Sequence, residues 1–286
     1  MNQVATTAYL AVYAIALLVL ISLGLAVIFG MMKVINLAHG EFMMLGAYVC
    51  VFAGNAGAPL WVAATASAIL VGVFGVLVER LIIRFLYGRI IDTLLATWGL
   101  SLFLVGAVTT IFGPQGRSLS TSFGSVSIGG MILSSYNLVL IGLAMALAAL
   151  TWALARFTKF GLIVRGAMQD PVMASALGVD LGVAYMATFG YGAALAGLAG
   201  AALVPVTGAS PTMGLFFVAK AFITVIVGGH LPLVGTLAAS GLFGAVDGVI
   251  SYRWSSVLGE VGVLVAAVVL LRMLPSGITG RFRRGL

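Results

Sequence analysis

Long apolar runs, interrupted by short polar clusters, dominate this chain. They fall at about 8–32, 42–54, 60–78, 93–112, 136–155, 184–204, 214–228, 233–250 and 257–274. A helix needs about 20 apolar residues to cross the hydrocarbon core of a bilayer. Lipid offers no partner to a backbone N–H or C=O, so spans in an open chain must be helices. The pattern therefore predicts an all-α, polytopic transmembrane bundle of about eight spans, forming a single domain over 1–286. The runs 42–54 and 214–228 are too short to cross alone, which predicts discontinuous helices.

Composition agrees and narrows the class. Of 286 residues, 62% are hydrophobic and 7% are charged, against roughly 25% charged in a soluble domain. Mean hydropathy is +1.23. An ordinary soluble enzyme, a disordered chain and a disulfide-built domain are excluded. Cys50 is the single cysteine, so there is no intrachain disulfide and no Cys-based zinc site. The first run has no charge before it and is too long for a signal-peptide core, so it is expected to be a retained span.

Lys and Arg set the orientation. Arg80, Arg84 and Arg89 crowd the 79–92 link, Arg156, Lys159 and Arg165 the 156–183 link, and Arg272, Arg281, Arg283 and Arg284 the tail. These regions are expected to be cytoplasmic. The 113–135 link holds only Arg117 and is expected outside, as is the N-terminus; Arg253 alone breaks the pattern. The net charge of +7 follows from these loops, and its scatter among apolar spans argues against nucleic-acid binding. The 38 glycines let transmembrane backbones approach closely. Gly244-xxx-Gly248 is expected to pack within the chain rather than form a homodimer seam.

Two breaks carry the candidate chemistry. Lys33-Val34-Ile35-Asn36-Leu37-Ala38-His39-Gly40-Glu41 interrupts an apolar stretch. One reading is a plain cytoplasmic turn. The other is an unwound segment leading into a half-helix that starts near Gly40 at membrane depth. Such a helix aims its unpaired N–H groups and positive end at a cavity, as transporters do to hold anionic or polar substrate groups. Asn36 is then a cap or a substrate ligand, His39 a donor, and Glu41 a dipole-compatible acid that pairs with Lys33 or meets substrate. The second break, Val204 to Gly214, precedes the other short run. Pro205 is expected to end one helix and Pro211 to stand near the start of the next. Short segments in both halves predict a weak internal repeat, with Thr212 and Gly214 joining Asn36, His39, Gly40 and Glu41 along a substrate path. Lys220 and Asp247 join Lys33 as charges at membrane depth, where charge is costly; a structural Lys220–Asp247 pair is expected, with a gating pair as the alternative.

The 157–182 link is long. Asp170 suits an N-cap, Pro171 the first helical position and Gly178 a stop, predicting a short helix from Pro171 to Leu177. Val172, Met173, Ala176 and Leu177 form an apolar stripe on it. It either lies on the bilayer or plugs into a partner protein.

Taken together, Asn36-Leu37-Ala38-His39-Gly40-Glu41 with Leu45-Gly46-Ala47-Tyr48, the segment Arg165 to Gly178, Lys220-Ala221-Phe222 with Gly228-Gly229, and Leu274-Pro275-Ser276-Gly277-Ile278 resemble the LivH-type permeases of bacterial branched-chain amino acid ABC importers. The resemblance covers nearly the whole chain. It implies an inner-membrane permease that forms half of a translocation path with a second homologous permease subunit or a second copy. It also implies two cytoplasmic ATP-binding subunits, which hold ATP and Mg, and an external solute-binding protein. Ala174-xxx-Gly178 resembles the core of the loop that contacts the ATPases, so Arg165, Asp170, Ala174, Leu177 and Gly178 are the expected coupling residues. His230-Leu231-Pro232-Leu233-Val234-Gly235 departs from the family's usual Gly-rich turn. Relatives that carry urea or short amides share these motifs.

The chain lacks a Gly-x4-Gly-Lys-[Ser/Thr] loop and a His-Glu-xx-His motif, so no cofactor and no metal are expected in it and energy must come from elsewhere. A gradient-driven secondary transporter is the competing reading. An intramembrane enzyme ranks last, for want of a credible catalytic pair.

Overall fold

In a computed structural model, which describes residues 2–119, 124–128, 131–229 and 231–280, the apolar runs are helices. They are α1 (Asn2–Met32), α2 (His39–Asn55), α3 (Leu60–Leu81), α4 (Ile90–Phe112), α5 (Ser135–Phe157), α6 (Lys159–Gln169), α7 (Pro171–Ala176), α8 (Leu181–Thr207), α9 (Met213–Gly228), α10 (Pro232–Arg253) and α11 (Ser256–Met273). Among the described residues, seven helices are long and apolar enough to cross a membrane, and α9 is a shorter apolar helix. The sequence-derived spans agree with the observed helices to within about three residues, except that α1 begins at Asn2, well before the expected start at 8.

Two local expectations change. Pro205 lies inside α8 rather than ending it; the helix runs two residues further and stops at Gly208, whose φ of 70° is open to glycine. The 113–135 link, for which no strand was expected, folds in part into an antiparallel hairpin, β1 (Ser125–Ile128) with β2 (Met131–Ser134), in register from Ser125 opposite Ser134 to Ile128 opposite Met131. His230 and the tail cations Arg281, Arg283 and Arg284 lie outside the described residues.

Contacts gather the chain into two compact units, one of residues 1–22, 121–150 and 221–286, the other of 23–120 and 151–220. In the first unit α10 packs on α11, and Gly259 meets the Asp247 and Ser251 side chains. Gly244 and Gly248 lie against Ile15 and Ala11 of α1, so this glycine pair serves packing within the chain, as expected. Asp247 accepts a hydrogen bond from Ser251 Oγ at 3.0 Å. Thr279 Oγ1 donates to the Gly228 carbonyl at 2.6 Å and accepts from Leu231 N at 3.0 Å, tying the segment after α11 to the α9–α10 turn.

The second unit is built on α2, α3 and α8. Phe42 meets Phe74 and Phe189 edge-on, at ring separations of 5.8 and 6.0 Å. Backbones approach so closely that a Cβ at Gly46 would stand 2.5 Å from Gly197 Cα. Ser67 Oγ donates to the Gly46 carbonyl at 2.9 Å. Small residues are needed here because lipid tails compete as well as any apolar side chain, leaving close van der Waals packing and interhelical hydrogen bonds to hold helices together.

Candidate functional site

The first break starts where α1 ends. Lys33 has a φ of 51°, an uncommon value for a residue with a Cβ, which turns the chain out of α1. The extended segment is then held by α4: Leu37 N donates to Thr97 Oγ1 at 3.1 Å, and Thr97 Oγ1 reaches the Ile35 carbonyl at 3.1 Å. Asn36 does not cap α2. Its Oδ1 accepts from Ala38 N at 3.1 Å and closes the turn before the helix. The helix expected to start near Gly40 starts at His39 and has 17 residues.

The second break mirrors the first. After Gly208, Ala209 pairs with Arg117 through two backbone hydrogen bonds of 2.7 Å. The Arg117 guanidinium stands 5.5 Å from the Phe52 ring centroid and 5.9 Å from that of Phe112. Met213 N donates to the Ser210 carbonyl at 3.1 Å as α9 begins. Gly40 and Gly214, each the second residue of a short helix, lie backbone against backbone. The two helix N-termini therefore meet, each carrying roughly half a positive charge. Glu41 sits in the first turn of α2 at this junction, with the Ser101 hydroxyl of α4 beside its carboxylate.

Asn36, His39 and Glu41 are all 0% exposed, and Gly40 and Gly214 are buried. Among the described residues, these three side chains and the two glycines are packed together where the two short helices start. Thr212 is exposed at the second break. Lys33 is exposed while Glu41 is buried, and the two do not pair. Lys220 lies on α9, partly exposed.

Sequence reading missed the α4 residues. Thr93, Thr97 and Ser101 are buried and recur every four residues, which puts them on one face of a helix. That polar stripe on an otherwise apolar span was the available signal.

The short helix expected in the 157–182 link forms, as α7. Thr158 caps α6, accepting from Gly161 N at 3.1 Å. Asp170 Oδ1 accepts from Val172 N and Met173 N, both at 3.0 Å, and Pro171 opens α7. Gly178, with φ of 86°, stops it. Ala174 is 7% exposed and faces inward, whereas Val172 and Leu177 are 79% and 78% exposed. Arg165 is half-buried, Asp170 exposed. Nearby, Tyr87 donates to the buried Glu79 carboxylate and meets the Tyr185 ring edge at 5.0 Å. Burial and the Glu79 carboxylate hold the Tyr87 hydroxyl above the ordinary phenol range.

Residues 7–274 match the family described as branched-chain amino acid transport system, permease component. The chain belongs to that family. This permease is 30% identical, over 92% of its length and 91% of the relative's, to the Pseudomonas aeruginosa high-affinity branched-chain amino acid transport system permease protein BraD. It is 28% identical to the Escherichia coli LivH permease, over 92% of this chain and 91% of that one. It is also 28% identical to a probable LivH permease of Methanocaldococcus jannaschii, over 92% of this chain and 89% of that one. No solved structure matches it. Family and apolar helices together make this permease a multi-pass protein of the cell's inner membrane.

Proposed function

We propose that this permease forms half of the translocation path of an ATP-driven importer of branched-chain amino acids. The other half is a second homologous permease subunit or a second copy. Two cytoplasmic ATP-binding subunits, carrying ATP and Mg, supply the energy, and an external solute-binding protein delivers the substrate. The observation that carries this reading is α7. A capped, six-residue helix presents Val172, Met173 and Leu177 outward on the side the Lys/Arg distribution makes cytoplasmic. A gradient-driven transporter has no use for such a dock.

Within this reading, Arg165, Asp170, Leu177 and Gly178 shape the ATPase contact, and Ala174 supports it from within. Asn36, His39, Gly40, Glu41 and Gly214 hold the junction of the two short helices, and Thr212 is the path residue reachable from outside that junction.

The test is reconstitution with the cognate ATPase subunits and binding protein. Uptake of leucine, isoleucine or valine should require ATP hydrolysis and fall with Leu177→Asp. Uptake of urea or short amides instead would move the substrate to that class. ATP-independent uptake driven by an ion gradient would overturn the importer reading.

A further inference from the structure

We propose that the end of α5 and the start of α6 form a site for the phosphate of an anionic phospholipid, built on Arg156 and Lys159. Arg156 lies in the last turn of α5 and Lys159 opens α6. Both side chains are exposed. No Asp or Glu occurs between Asp92 and Asp170, and neither cation has an acidic partner among the described residues. The cations of the other cytoplasmic link are differently placed: Arg89 stands 3.7 Å from Asp92, and Arg84 lies by Tyr87.

The surroundings suit lipid rather than a soluble anion. Trp152 precedes Arg156 by four residues, so the two share a helix face. Its ring meets Phe157 edge-on at 5.4 Å, and Trp152, Phe157 and Leu162 are all exposed. Aromatic side chains at the end of a span mark the headgroup level. Beyond it α6 buries Gly161, Val164 and Ala167 and turns Lys159 and Leu162 outward, the arrangement of a helix lying in the membrane surface. An exposed apolar surface that suits acyl chains thus adjoins two cations without acidic partners. A zwitterionic headgroup brings its own cation to the phosphate. An anionic one leaves its charge for Arg156 and Lys159, and the cytoplasmic leaflet attracts basic segments for this reason.

The test uses the full-length chain in nanodiscs of phosphatidylcholine, with or without phosphatidylglycerol, followed by thermal unfolding. The wild type should gain several degrees with phosphatidylglycerol, and Arg156→Gln/Lys159→Gln should gain nothing. Inorganic phosphate added to phosphatidylcholine discs should give no gain. Absence of the gain in the wild type, its survival in the double variant, or an equal gain from inorganic phosphate would each overturn the proposal. If the double variant does not insert, Lys159→Gln alone carries the test, read as the phosphatidylglycerol that co-purifies, by mass spectrometry; retention at the wild-type level would overturn it.

Discussion

Gly40 and Gly214 meet backbone to backbone: a Cβ on Gly214 would stand 2.5 Å from the Gly40 carbonyl carbon. Each is the second residue of a short helix that follows a break in the chain. Gly40→Ala should therefore force the helix starts apart. Overpacking a tight site costs about 1–3 kcal/mol, and backbone on the facing side leaves the upper end of that range. Gly106→Ala on α4, where a Cβ would meet nothing within 4 Å, should be neutral or stabilising by about 0.4–1 kcal/mol. Thermal unfolding of the two variants in one detergent checks both; equal melting would show that the glycine junction has slack.

Thr97→Val keeps the shape of the side chain and removes the hydroxyl that serves Leu37 N and the Ile35 carbonyl. A buried backbone group left without a partner costs about 1–3 kcal/mol. Hydrogen exchange should rise locally at residues 34–38 before the rest of the unit opens. Unchanged protection there would mean that the break holds itself.

On the proposed reading, the two faces of α7 should respond differently to charge. Leu177→Asp alters an exposed side chain, so stability should stay within about 0.5 kcal/mol while coupling to ATP hydrolysis is lost. Ala174→Arg puts a charge into a buried position and should lower stability as well. Asp170→Ala should cost about 1 kcal/mol as a lost N-cap. Thermal melts alongside ATP-driven uptake separate the cases; loss of stability in Leu177→Asp would contradict the assignment of faces.

Tyr87→Phe removes the donor to the buried Glu79 carboxylate and should destabilise by about 1–3 kcal/mol. Because the Tyr87 hydroxyl is held above the ordinary phenol value, its contribution is complete below pH about 10. It fades as pH rises from there towards the raised value. The wild type and the variant should therefore converge in stability only in strong alkali. A gap that closes near neutral pH would exclude the Tyr87–Glu79 bond as its source.

How far the sequence could be read varied with the range of the interaction. The Asp170–Pro171 start and Gly178 stop of α7 were legible because a cap and a left-handed stop are satisfied within a few residues. The start of α2 near Gly40 was legible because the apolar run after it is too short to cross. The inward turn of Ala174 was not, since a six-residue helix made largely of small and apolar residues does not say which side meets α6 and α8. Pro205 was misjudged as a stop because helix breaking is the local rule for proline, while a long transmembrane helix can carry one near its end when neighbours satisfy the freed carbonyl.

The sequence alone determined the spans, the breaks, the caps and the family, because apolar length, charge placement and turn chemistry are properties of a segment and its solvent. Tertiary structure decided which residues meet. It brought Gly40 to Gly214 across more than half the chain, put Thr97 of α4 against the first break, and buried Asn36, His39 and Glu41. Those outcomes depend on close packing and hydrogen-bond completion between distant segments in a medium without water, and no local pattern encodes the partner.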